Sequence, residues 1–197
     1  MKSIYVGFVD SRSGHLGSRL IAWFLDSEVN HVFGMTGDPD FQDINDFTVY
    51  ETSPTHFLSR PYSQRKDTVI RVFRSRYGQP ALAQAFWERH VKERTFYNYP
   101  ALCGHAVIIA VNLLIKCVNK YIPGFFREWT PSNPLATKGL LQCSEATLLG
   151  LQAAFVPSVA SYLAPDMDPT LLLKICENHP EAFEDVSKQF CTKGNLA

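Results

Sequence analysis

The chain has 197 residues, 46% of them hydrophobic and 19% charged, which suits one globular domain with a sizeable core and excludes a disordered polymer. Its 19 Lys and Arg balance 19 Asp and Glu, so the whole chain has no electrostatic bias toward nucleic acid or an anionic membrane. Local basic clusters, Arg60–Lys66 and Arg71–Arg76, add no positive support for a nucleic-acid role.

The chain starts with a predicted strand, residues 3–9 (SIYVGFV), apolar and partly β-branched. The turn-rich SRSGHLGS then starts a short helix carrying Leu20, Ile21, Phe24 and Leu25, ending near Glu28. Val29–Met35 is a second strand and carries His31; the polar turn GDPDFQDIND leads to a third, Phe47–Glu51. Residues 68–73 (TVIRVF) alternate as a half-buried strand does.

Beyond Gly78 the pattern turns helical. Pro80 suits a first helical turn, Ala81–Arg94 has helical periodicity, and YNYP interrupts it. A strongly apolar helix is predicted over Leu102–Tyr121, followed by the loop IPGFFREWTPSNPLATKG. The helix opening at Cys143 presents Leu148, Leu151 and Phe155 on one face, with Leu149 widening it. A last helix, Pro169–Asn178, precedes a polar tail. Strands come first and helices later, with no internal repeat or linker. The expected class is α+β in one domain, residues 1–197, with a helix-and-loop insertion at about 98–135.

The first residues lack the long apolar core and cleavage site of a signal peptide. The longest apolar run, Ala106–Ile115, is interrupted by Asn112 and falls short of the ~20 residues that cross a bilayer. A soluble, cytoplasmic protein without a transmembrane segment is expected.

Cysteines at 103, 117, 143, 176 and 191 show neither CxxC nor metal-ligand spacing. Cys103, Cys117 and Cys176 lie among apolar neighbours and are expected to be buried; Cys191, in the tail, is expected to be exposed. Cys143 differs. The polar run Gln142, Cys143, Ser144, Glu145 opens onto a helix, whose N-terminal N–H groups and dipole favour a thiolate. A nucleophilic thiol needs a base, and the base an orienting group. His31 and Glu51 are the candidates, on adjacent strands that antiparallel pairing sets side by side. His15, His56, His90, His105 and His179 compete for the base role. Glu145 is expected to stabilise the first helical turn rather than act as an acid.

A strand with Asn-His-Val, a following strand ending in Glu, and much later a Cys-Ser-Glu helix start resemble the circularly permuted branch of the NlpC-type papain-like hydrolases. Lecithin:retinol acyltransferase-like enzymes are similar to this branch. The order His31, Glu51, Cys143 matches the permuted arrangement, in which the nucleophile helix comes last. The aromatic segment Phe96-Tyr97-Asn98-Tyr99 and the proline-led helix at Asp168-Pro169 fit as well. The likeness spans roughly residues 3–175. It departs at Gln142, where the family often has Tyr or Asn, and at the insertion with Phe125, Phe126 and Trp129.

The resemblance implies a small antiparallel sheet packed against helices, with the nucleophile at a helix N-terminus. It implies acyl transfer through a Cys143 thioester, with His31 as base and Glu51 orienting it. The Cys143 N–H is an oxyanion donor in this scheme, and Gln142 and Ser144 contribute to oxyanion or substrate binding. No metal or organic cofactor is needed. An amide hydrolase acting on a peptide or isopeptide, possibly in a cell wall, is the first reading. A thiol acyltransferase or esterase acting on lipid acyl chains is the second, and a non-catalytic binding or structural module the third.

Overall fold

The computed structural model describes residues 2–10, 28–41, 43–53, 55–123 and 140–191. Strands β1 (Ser3–Asp10), β2 (Val29–Gly37), β3 (Thr48–Thr52), β4 (Phe57–Pro61) and β5 (Val69–Ser75) come first. Helices α1 (Pro80–Lys92), α2 (Tyr99–Tyr121), α3 (Cys143–Ala153) and α4 (Pro169–Asn178) follow, then β6 (Phe183–Asp185) and the short α5 (Ser187–Phe190). The six strands form one sheet in the order β4-β3-β2-β1-β5-β6, every pair antiparallel. The fold is α+β. The helix expected to end near Glu28 lies, up to residue 27, outside the described residues, as does the loop at 124–139.

β1 is central and buried on both faces, which is why it reads as a continuous apolar run rather than an alternating one. Ile4, Val6 and Phe8 face one core, with Trp87 of α1, Leu148 and Leu151 of α3, and Leu172 of α4. Tyr5 and Val9 face a second core with Phe33, Met35, Val49 and Val72. Phe190 of α5 closes that second core. Its ring centroid is 5.0 Å from Phe47, 5.5 Å from Tyr5 and 5.5 Å from Tyr62.

Helix starts follow local chemistry. Pro80 and Pro169 occupy first turns, where a missing N–H costs nothing. Asp168 caps α4, its carboxylate accepting the Leu171 N–H at 2.8 Å. Leu148 and Leu151 are buried as expected, but Phe155 is 70% exposed, because α3 ends at Ala153 and the chain turns through a left-handed φ of 60° at Phe155.

Three cysteine expectations are corrected. Cys103 and Cys117 lie on α2 and are exposed, whereas Cys191, at the end of α5, is buried. α2 also exposes Val107, Leu113, Leu114 and Tyr121, so apolar composition there does not translate into burial. Among the described residues, no helix is long and apolar enough to cross a membrane.

Candidate active site

The sheet places His31 and Glu51 by register. β2 and β3 pair with Gly34 opposite Tyr50, Met35 opposite Val49 and Thr36 opposite Thr48. Glu51 therefore falls one step beyond Tyr50, and His31 reaches it diagonally from β2. Against β1 the register of β2 shifts by one residue between Val9 and Asp10, so that Val9 pairs with His31 while Asp10 pairs with Val29. Such a bulge re-aims the adjacent side chain. His31 Nε2 lies 2.7 Å from Glu51 Oε2.

α3 brings the third group. Gln142 is its N-cap with extended φ and ψ, and Cys143 is its first residue. The chain entering α3 is fixed by pairing: Tyr97 bridges Leu141 in parallel, the Leu141 N–H donates to Phe96 O at 3.1 Å, and the Asn98 N–H donates to Leu141 O at 3.1 Å. The Cys143 thiol contacts the His31 ring by hydrogen bond, and the sulfur also receives the main-chain N–H groups of Val32 and Ser144. Since Nε2 is taken by Glu51, the ring nitrogen that serves Cys143 is Nδ1.

The electrostatics favour a thiolate–imidazolium pair. Burial by itself pushes the Cys143 thiol up, but the His31 charge, the His31 hydrogen bond and the two main-chain N–H groups outweigh it and hold the thiol below its ordinary value. Burial likewise pushes His31 down, and contact with Cys143 and then Glu51 raises it to about 9. Glu51 is buried to 0% side-chain exposure, which alone would raise its carboxyl. His31 and then Arg65 instead hold it at about 2.

Glu51 has two partners that sequence reasoning missed. Arg65 Nε is 2.9 Å from each carboxylate oxygen and its Nη2 is 2.6 Å from Oε2. Arg60 Nε is 2.6 Å from Oε1. Strand β4 was not expected from the short, proline-ended FLSRP. Its register sets Leu58 opposite Glu51, so Arg60 lies on the same sheet face, one diagonal step away. Two of the basic residues at 60–66 therefore serve one buried carboxylate.

No family model, curated protein or solved structure matches the chain. The chemistry of the site therefore rests on its own geometry.

The remaining sequence candidates divide clearly. Ser144 donates its hydroxyl to Met167 O at 2.6 Å, so what it offers the sulfur is its main-chain N–H. Gln142 is buried at the cap, and its N–H donates to the Glu145 carboxylate at 3.3 Å. Glu145 thus stabilises the helix start, with Asn98 as a second partner. Of the competing histidines, His56 bonds Thr55 at 2.8 Å, His90 bonds Thr95 at 2.8 Å and His179 pairs with Glu181 at 2.8 Å. Among the described residues, no group of three or more His, Cys, Asp or Glu is arranged to hold a metal ion.

Proposed function

We propose that the chain is a thiol-dependent hydrolase that cleaves an amide bond, in a peptide or isopeptide, through a Cys143 thioester. The observation that carries this reading is the unbroken relay from the Cys143 thiol through both His31 ring nitrogens to a carboxylate with no solvent exposure. His31 takes the Cys143 proton on Nδ1, and the thiolate attacks the carbonyl carbon. The Cys143 N–H, at the first position of α3, is the donor for the oxygen on which charge then develops. His31 returns the proton to the leaving amine, and water releases the acyl group.

The permuted NlpC-type papain-like fold is part of the same proposal. It is supported by the chain order, the antiparallel sheet and the nucleophile at the first residue of α3. A second reading, acyl transfer from lipid chains, is favoured by the exposed Val107, Leu113 and Leu114 of α2.

The test is labelling with a thiol-reactive acyl probe, mapping the adduct by mass in wild type and Cys143→Ala. A Cys143 adduct that forms ahead of any at the exposed Cys103 and Cys117, lost in Cys143→Ala and slowed about 10²-fold or more in His31→Ala, is expected. A Cys143 that alkylates no faster than an unfolded thiol ends the enzyme reading. Peptide and lipid acyl probes offered in parallel separate the two substrate classes.

A further inference from the structure

Glu51 carries more positive charge than a ring-orienting carboxylate needs. Orientation requires one bond, from the far ring nitrogen, and His31 Nε2 supplies it at 2.7 Å. Arg65 then adds contacts of 2.9, 2.9 and 2.6 Å, and Arg60 one of 2.6 Å. The charged groups facing Glu51 are therefore His31 from β2, Arg60 from β4 and Arg65 from the turn after β4, with Cys143 of α3 across the imidazole. Arg65 is delivered from a fixed backbone. Its N–H donates to Tyr62 O at 2.8 Å, and its carbonyl accepts the Thr68 N–H at 3.0 Å and the Thr68 hydroxyl at 2.9 Å.

The arrangement matters because the three groups share two protons that can be placed in three ways. In the first, Cys143 is a thiolate, His31 carries both N–H bonds and Glu51 is ionised. In the second, Nδ1–H breaks as Sγ–H forms, leaving a neutral imidazole that still donates from Nε2. In the third, Nε2–H breaks as Oε2–H forms, leaving a neutral Glu51, a neutral imidazole and a thiolate without its counter-cation. Burial of a carboxylate with one imidazole alone works toward the third, because it disfavours the ionised carboxyl. A guanidinium does not give up its proton, so with Arg60 and Arg65 in place a neutral Glu51 would face two uncompensated cations.

We infer that Arg65, assisted by Arg60, is a positioning residue acting through Glu51: it keeps the Nε2 proton on His31, so that the mobile proton of the site moves between His31 Nδ1 and Cys143 Sγ. This rests on the thiol-hydrolase reading above. The two arginines differ in what they add. Arg65 approaches as a fork across both oxygens, which fixes the carboxylate plane as well as its charge. Arg60 approaches through Nε, out of hydrogen-bonding line.

The experiment is the pH dependence of Cys143 alkylation by iodoacetamide in the full chain. It compares wild type, Arg65→Met, Arg65→Lys, Glu51→Gln, and each Arg65 variant combined with Glu51→Gln. Arg65→Met is expected to move the acid limb up by about one pH unit, roughly a tenfold loss of rate at a pH on that limb. Arg65→Lys should recover part of the shift, because the charge returns without the fork. With Gln at position 51, neither Arg65 variant should move the limb further. The inference is overturned by an unmoved limb in a folded Arg65 variant, or by an equal shift with and without Glu51. If Arg65→Met does not fold, Arg65→Lys alone, with and without Glu51→Gln, decides the question by the same criterion. A wild-type Cys143 no more reactive than an unfolded thiol overturns the hydrolase reading instead, so the two failures are distinct.

Discussion

Gly34 and Gly150 meet the same indole ring, Trp87, from two elements: a Cβ on either glycine would lie 2.2 Å from a ring atom. One glycine is on β2, which carries His31, and the other on α3, which begins at Cys143. Trp87 is fully buried, donates Nε1–H to Ala146 O at 3.0 Å and stacks on Tyr50 at 5.4 Å. The spacing between base strand and nucleophile helix is thus set by one ring, with glycine needed on both sides for close approach.

Gly150→Ala is therefore expected to push α3 away from α1, costing about 1–3 kcal/mol as overpacking does. The shift also lengthens the Cys143–His31 contact. Urea unfolding reads the stability and iodoacetamide the thiol. A variant less stable but equally reactive at Cys143 would show that Trp87 does not set the spacing of the pair.

The buried pair predicts an unusual pH profile of stability. His31 is raised from 6.5 to about 9, so its contribution is complete below 6.5 and is lost as pH rises toward 9. Cys143 is lowered from 9.0, so its contribution is complete above 9.0 and is lost as pH falls. Between 6.5 and 9.0 the unfolded pair holds one proton, on sulfur, and a folded thiolate–imidazolium pair also holds one, on nitrogen. The proton counts match, and the two slopes cancel. Tm should be flat across that window in wild type. A wild-type Tm that falls steadily across the window would refute the ion pair, because a raised His31 without an ionised Cys143 loses stability as pH rises. At the acid end Glu51, lowered from 4.5 to about 2, loses its contribution as pH drops through that range.

Sequence legibility followed local signal strength. β1, β2, β3 and β5 were legible from apolar and β-branched runs, and α4 from its Asp-Pro start with matching bounds, Pro169–Asn178. β4 and β6 were not: five residues ending in proline and three residues in a polar stretch have too little periodicity to stand out. Missing β4 hid Arg60 and Arg65, because their meeting with Glu51 depends on hairpin register and on the turn at Tyr62–Gln64. Cys191 was misjudged for a similar reason. Its burial comes from α5 packing on a sheet face assembled far upstream.

Glu145 separates capping from catalysis. Burial raises its carboxyl, only partly offset by the Gln142 N–H and Asn98. A raised acid contributes stability that is present below its unfolded pKa and lost as pH rises, so the ionised form is the less favourable one at neutral pH. Glu145→Gln keeps an oxygen acceptor for the Gln142 N–H and removes the buried charge. It should be neutral or stabilising by up to about 1 kcal/mol at pH 7, whereas Glu145→Ala should cost about 1 kcal/mol as a lost cap. Thermal melts of both variants decide. An alkylation rate reduced tenfold in a stable Glu145→Gln would return Glu145 to the chemistry.

Phe155 gives a prediction that touches only the end of α3. The Val156 N–H donates to Leu151 O at 3.1 Å and the Phe155 N–H to Gln152 O at 2.9 Å, closing the helix as a left-handed cap with Phe155 at φ 60°. That backbone conformation suits glycine and strains a large side chain. The Phe155 ring is 70% exposed, so little packing compensates. Phe155→Gly is expected to stabilise the fold by about 1 kcal/mol, raising Tm by about 2–4 °C for a domain of this size. The cap lies at the opposite end of α3 from Cys143, so the alkylation profile should stay unchanged. A lowered Tm would mean that the Phe155 ring packs against something its exposure does not reveal.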